Sequence, residues 1–360
     1  MNNISPEVHC ETADKGGSLL NNWVKESQKR IYTPVLKDLF DYYLDIGLQI
    51  QLSSIMREVP EEYQDPFFHT LITHVTKEKP VFIYSIGAGF GVDGEKSAFM
   101  AAITDILWTT SLMVDDVVDE DTQRANRGTC WVLYGKERTM ASVNSILGIL
   151  YEKLDRKVFP RSTHYLVNDI LKGMESFDSK AIKDVETVEE EVAININKRA
   201  MFHCEFPVVA MLGGYQSDQE IKLGSETLYT VNMAGQILND VKDLVSTNLY
   251  GRKSFSDIRG GIMTIPLVML YKGLNEEQKR YFCSIFGHRD LTNNELENFH
   301  EIVYTKLPRF EIFERVRTGY SHFLELMGRI DSIDGLNLSE RWVSYKMAQA
   351  QELLFLSNNE

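Results

Sequence analysis

Apolar residues recur at three- and four-residue intervals along this chain, and only 9 prolines and 23 glycines in 360 residues interrupt them. That spacing belongs to one face of an α-helix and calls for long helices packed on one another. Ala98, Ala101, Ala102, Ile106, Leu107, Thr110 and Met113 show it. The stretches Asn144 to Leu154, Leu166 to Met174, Val192 to Leu212, Leu228 to Leu244 and Phe310 to Met327 read the same way. Thr187 and Glu190 form a capping box, and Glu186 to Glu191 reads as a solvated first turn. There is no alternating strand series and no Pro/Ser-rich linker. The expected fold class is all-α: a single-domain helical bundle over residues 31–360, after a polar, mobile arm over residues 1–30. Gly87 to Gly94 follows no strand and reads as a turn between helices rather than a phosphate loop.

Charge and cysteine usage narrow the function classes. The net charge is −14 and no basic stripe is visible, so nucleic acid is excluded as a partner. An acidic protein that binds an anion must bring metal ions or local Arg and Lys to the site. Cys10, Cys130, Cys204 and Cys283 are scattered, without a CxxC pair, which suggests reduced thiols in a cytoplasmic protein rather than a zinc site or disulfide framework. The longest nearly apolar stretch, Pro80 to Val92, is too short and Gly-rich to span a bilayer. Met1 to Gly17 lacks the apolar core of a secretory signal. No lipidation motif or basic amphipathic helix supports a stable membrane anchor.

Two acidic clusters carry the chemistry. Asp115-Asp116-Val117-Val118-Asp119 and Asn239-Asp240-Val241-Lys242-Asp243 place side-chain oxygens at the first, second and fifth positions. On a helix these converge on one spot, and hard divalent cations such as Mg²⁺ take oxygen ligands shared with substrate phosphates. Two such helices facing each other would clamp a diphosphate. Either cluster alone could be a solvated face; both sit inside apolar helices, which argues otherwise.

These residues resemble the trans-isoprenyl diphosphate synthases of the polyprenyl synthetase family. The resemblance spans roughly residues 65–280. It rests on Ser111 to Asp119 with Arg124, Arg127-Gly128 and Tyr134-Gly135 after it, on Gly235-Gln236 to Asp243, on Asp257 to Thr264-Ile-Pro266, and on Lys198. It implies an all-helical bundle around a central cavity, a homodimer, and three Mg²⁺ bound between the clusters and an allylic prenyl diphosphate. Carried over, Asp115, Asp116 and Asp119 bind metal from one wall, and Asp240 and Asp243 from the other. Asn239 ligates through its amide oxygen. Lys198, Gln236 and Arg252 hold the allylic diphosphate. Ionising the allylic C–O bond needs a stabilised leaving group and a dry cavity. In this family residues one turn before the first cluster limit product length. Thr110 and Ser111 are small there and would border the cavity floor on the Asp115 face. They leave room for a C15–C20 or longer product, and Thr110→Phe is expected to shorten it.

The departures fall on the second substrate, isopentenyl diphosphate. Thr76 and Lys79 take the places of a Lys and an Arg, Lys77 is a substitute cation, Trp108 replaces a His or Gln, and the Arg pair is split as Arg124-Ala-Asn-Arg127. Ile262 replaces a Lys. One reading is a divergent synthase binding isopentenyl diphosphate through Lys77, Lys79, Arg124 and Arg127. The alternative is a terpene synthase on the same fold, or a prenyltransferase to a non-diphosphate acceptor, with the Trp108 face stabilising a cation. Others are a regulatory partner subunit of another synthase and a non-enzymatic lipid-binding bundle.

Overall fold

The structure, a computed structural model, describes residues 22–29, 33–73, 76–118, 120–157, 211–212, 216–245, 255–330 and 333–356. Among these residues the regular structure is helical apart from one short hairpin, so the all-α expectation holds. The chain divides into two compact units, Met1–Thr163 with Ala210–Tyr215, and His164–Val209 with Gln216–Glu360. No change of composition marks that division, which is why the sequence reads as one domain.

In the first unit, residues 22–28 form α1, followed by α2 (Pro34–Asp45), α3 (Leu48–Met56), α4 (Glu61–Thr73), α5 (Glu78–Gly89), α6 (Gly94–Val118), α7 (Cys130–Tyr134) and α8 (Lys136–Lys157). Helix α6 is the core, with α3, α4, α5 and α8 packed around it. Between Met100 and Met113 every α6 side chain is buried except Trp108, Ser111 and Leu112. By length and composition α6 could cross a bilayer, but most of it is covered by its own unit, as in a core helix. In the sequence the longest nearly apolar stretch is Pro80 to Val92, because Asp105 interrupts α6. Asp93 starts α6, its Oδ1 accepting from the Glu95 and Lys96 backbone N–H groups at 3.0 and 3.2 Å. The Gly-rich segment is the expected turn. Gly91 takes φ +71°, which favours glycine, and a Cβ on Gly87 would collide with Ser97 and Met211.

The end of the polar arm departs from expectation. Trp23 on α1 is fully buried and packs at a tilt against Phe40 and edge-to-face against Tyr43, both at 5.9 Å between ring centroids. One buried indole anchors this part of the arm.

In the second unit, α9 (Asp218–Val245) is the longest described helix, followed by α10 (Ser256–Gly260), α11 (Ile265–Lys272), α12 (Glu276–Ile285), α13 (Asn293–Lys306), α14 (Arg309–Arg329) and α15 (Ile333–Gln351). Helices α9 and α14 lie close together because Gly319 has no side chain. A Cβ there would stand 3.1 Å from that of Ala234. Capping boxes open α12 (Asn275 with Gln278) and α13 (Thr292 with Glu295). The sequence-predicted helices at 166–174 and 192–210, and the Thr187 capping box, lie outside the described residues.

Candidate active site

Helix α6 carries the first cluster at its C-terminal end. Asp116 is buried and Asp115 half-buried, with side-chain exposures of 1% and 26%. Arg124 answers both: its Nε donates to Asp116 Oδ1 at 2.8 Å and its Nη2 to Asp115 Oδ2 at 3.0 Å. Burial opposes the guanidinium charge, and the carboxylates of Asp116 and Asp115 more than offset it, so the pKa of Arg124 is raised.

The split Arg pair has a structural reason. Gln123–Arg124 and Arg127–Gly128 are paired antiparallel, with Arg124 opposite Arg127. Ala125 and Asn126 form the loop between them, both at positive φ (51° and 60°), as in a type I′ hairpin turn. Asp121 ties the base down, its carbonyl accepting from Thr129 Oγ1 and Trp131 Nε1, each at 2.7 Å. His69 joins from α4, its Nε2 2.7 Å from the Gly128 carbonyl. Alanine is strained in the left-handed region, so Ala125→Gly is expected to stabilise the protein by up to about 1 kcal/mol, read as a raised Tm in thermal unfolding.

The second cluster repeats the gradient on α9: Asn239 is exposed and Asp240 buried. Gln236, one turn earlier, donates from Nε2 to Asp240 Oδ1 at 2.7 Å. Asp243 serves α10. Its Oδ1 accepts from the Ser256 backbone N–H (3.0 Å) and hydroxyl (2.8 Å), and its Oδ2 from the Asp257 N–H (3.1 Å). The residue preceding α10, Phe255, makes no side-chain cap, so a carboxylate from α9 does that work. The motif ends with Thr264 just before α11 and Pro266 in its first turn. Asp119, Lys198 and Arg252 lie outside the described residues.

Among the described residues no three His, Cys, Asp or Glu side chains gather closely enough to hold a metal. The donor chemistry nevertheless fits a hard divalent cation: Asp115, Asp116, Asp240 and Asp243 offer carboxylate oxygens and Asn239 an amide oxygen.

One sequence assignment needs correction. Lys77, read as a cation for isopentenyl diphosphate, is fully buried. Its Nζ donates to both oxygens of Asp105, at 3.0 and 2.9 Å, and Tyr43 Oη donates to Asp105 Oδ2 at 3.0 Å. Trp23 and Tyr43 rings lie 5.1 and 5.3 Å from the ammonium. Burial pulls the Lys77 pKa below its usual value against the pull of Asp105. The signal missed was Asp105 itself, since a carboxylate on the buried face of an apolar helix demands a buried cation. Thr110 is the residue expected to border the cavity floor. It is buried, its hydroxyl donating back to the Ile106 and Leu107 carbonyls, both at 3.0 Å. Ser111 shares the half-buried stripe with Asp115, and Thr110 does not.

Lys79 and Trp108 are brought together, with Lys79 Nζ 2.9 Å from the indole centroid. Arg127 is half-buried, and no hydrogen bond or ion pair engages its side chain among the described residues.

The polyprenyl synthetase family model matches residues 62–303, a span somewhat wider than the motifs alone suggest. The chain belongs to the polyprenyl synthetase family. It is a prenyltransferase. Among curated relatives, a short chain isoprenyl diphosphate synthase of Methanothermobacter thermautotrophicus is 24% identical over 310 residues, covering 83% of this chain and 95% of that one. A geranylgeranyl diphosphate synthase of Saccharolobus solfataricus is 23% identical over 282 residues, or 74% and 84% of the two chains. Among solved structures, a polyprenyl synthase of Caulobacter crescentus superposes with a TM-score of 0.72 at 14% identity, covering 87% of this chain and 96% of that one. At that identity the likeness speaks for the polyprenyl synthetase fold alone.

Proposed function

We propose that this chain is a Mg²⁺-dependent prenyl diphosphate synthase that transfers the prenyl group of an allylic diphosphate to isopentenyl diphosphate, with a C15–C20 or longer product. The observation that carries this reading is the pair Asp115 and Asp116, set at the end of a buried apolar helix and bridged by Arg124. Relatives named for geranylgeranyl diphosphate favour the C20 end of the range.

The carboxylates of Asp115, Asp116, Asp119, Asp240 and Asp243, with the Asn239 amide oxygen, would hold Mg²⁺. When bound, Mg²⁺ neutralises the charge that grows on the departing diphosphate. Arg124 partly offsets the charge of Asp115 and Asp116 and would donate to phosphate oxygens beside a bound cation. Gln236 orients Asp240. Lys198 and Arg252 would bind the allylic diphosphate, and Lys79 and Arg127 the acceptor diphosphate. The apolar side chains of α6 exclude water from the cation. A homodimer in the cytoplasm completes the reading, which draws on the family resemblance.

The terpene synthase alternative leaned on a Trp108 face open to a carbocation, and the Lys79 ammonium already covers a face of that ring. One relative, of Bacillus subtilis, is named as component 2 of a heptaprenyl diphosphate synthase, so the chain should be assayed alone. Purified protein is incubated with geranyl or farnesyl diphosphate and Mg²⁺, with and without isopentenyl diphosphate, and products are identified by mass. Chain elongation only when both substrates are present is expected. A hydrocarbon or alcohol formed without isopentenyl diphosphate would defeat the synthase reading. No turnover by the chain alone would favour a partner-subunit role.

Product length offers a further check. Ser111→Phe places an aromatic ring on the Asp115 stripe and is expected to shift products toward shorter chains by mass. Thr110→Phe, at the buried neighbour, carries the same expectation, with an overpacking cost of about 1–3 kcal/mol of stability.

A further inference from the structure

Helix α4 is tied to the segment that follows the first acidic cluster. Arg138 of α8 donates from Nε and Nη2 to the Glu62 carbonyl at 3.0 and 2.8 Å, and Ser142 Oγ donates to the Tyr63 carbonyl at 2.5 Å. About two turns further along α4, His69 meets the hairpin. Its Nε2 lies 2.7 Å from the Gly128 carbonyl, and its ring is T-shaped against Tyr134 at 6.0 Å between centroids. A carbonyl oxygen only accepts, so Nε2 carries the proton, in the neutral ring and in the imidazolium alike. The bonds from Thr129 and Trp131 to the Asp121 carbonyl tie the loop to itself. His69 ties it to α4, which in turn packs against α6. Gly128 is paired with Gln123, and Arg127 with Arg124. The imidazole therefore relates the strands that carry Arg124 to the helix that carries Asp115 and Asp116.

We infer that His69 is a positioning residue for diphosphate binding: by holding the Gly128 carbonyl it fixes the hairpin against α4, sets where Arg124 stands beside Asp115 and Asp116, and so sets the affinity for a diphosphate head bound there with Mg²⁺. This rests on the synthase reading above. His69 acts through the hairpin and touches no reacting atom. Two substitutions separate its donor from its bulk. His69→Phe keeps a ring against Tyr134 but offers the Gly128 carbonyl no N–H. His69→Gln sets an amide N–H near the place of Nε2.

Titration calorimetry of the full chain with inorganic diphosphate at saturating Mg²⁺ tests this without turnover. His69→Phe is expected to weaken binding about tenfold, and His69→Gln to stay within about threefold of wild type. In Arg124→Gln the guanidinium is already gone, so adding His69→Phe is expected to change binding by less than about twofold. A purely structural role would cost the same in both backgrounds. Wild-type affinity in His69→Phe, equal losses in the Phe and Gln variants, or independent multiplication with Arg124→Gln overturns the inference. Should His69→Phe not fold, nitrogen NMR of the wild-type histidines decides: a proton on Nε2 at neutral pH supports the tie, and a ring protonated on Nδ1 alone has no donor for Gly128 and overturns it. If wild type binds no diphosphate with Mg²⁺, the synthase reading has failed and this inference with it; if wild type and His69→Phe bind equally well, only the role of His69 has.

Discussion

Lys77→Ala is expected to lower the unfolding free energy by about 3–5 kcal/mol, measured by urea denaturation, with no bound substrate needed to see it. The reason is the carboxylate left behind. Asp105 is fully buried, and its oxygens accept from Lys77 Nζ and Tyr43 Oη. Removing the ammonium strands a negative charge in the interior, with only the Tyr43 hydroxyl remaining of those donors. Burial and the Asp105 charge push the Tyr43 pKa well above the usual value, so its hydroxyl stays a neutral donor that cannot replace the lost cation. Lys77→Met with Asp105→Leu removes both charges and keeps most of the volume. It is expected to recover most of the loss, since a buried ion pair adds little over apolar groups of similar shape. A double variant as unstable as Lys77→Ala would show that the pair contributes more than mutual neutralisation. This comparison also bears on ligand binding: a lysine that bound isopentenyl diphosphate would raise KM when lost and leave stability nearly unchanged.

Asp116→Ala is expected to reduce turnover by a factor of about 10²–10⁴, which corresponds to several kcal/mol of lost transition-state stabilisation. Asp116 is the more buried of its pair, and its Oδ1 takes the short Nε bond from Arg124. The substitution removes a metal ligand and a partner of a half-buried guanidinium at once. Steady-state assays over a range of Mg²⁺ concentrations separate these effects. Loss of a ligand shifts the activity curve to higher Mg²⁺. Asp116→Asn keeps the shape and one oxygen, so its Mg²⁺ requirement is expected to lie between wild type and Asp116→Ala. Wild-type turnover in either variant would remove Asp116 from the reaction.

The sequence made the helices and their chemistry legible where periodicity is long and undisturbed. Helix α6 reads from its apolar spacing, and Asp115 and Asp116 fall where a helix would put them. The same periodicity puts Ser111, four residues before Asp115, on the Asp115 stripe. Thr110, five residues before Asp115, turns further toward the interior and is buried. The hairpin was hidden because Ala125-Asn126 lacks the glycine that usually marks a type I′ turn. The work of Asp243 was hidden too. A carboxylate that caps a helix 13 residues later leaves no local pattern, since the donors are backbone groups of Ser256 and Asp257. Lys77 shows the opposite error, a residue read as a substitute cation beside a motif position when packing against Asp105 and Trp23 decides its environment.

The family match begins at residue 62, and Trp23 lies well ahead of it. A protein shortened to the matching segment would lack the indole that covers the Lys77 ammonium, along with Phe40 and Tyr43 beneath it. Water would then reach a charge pair that evolved dry. Truncation at the boundary suggested by homology is therefore expected to yield aggregating material, and useful expression should retain everything from Trp23 onward.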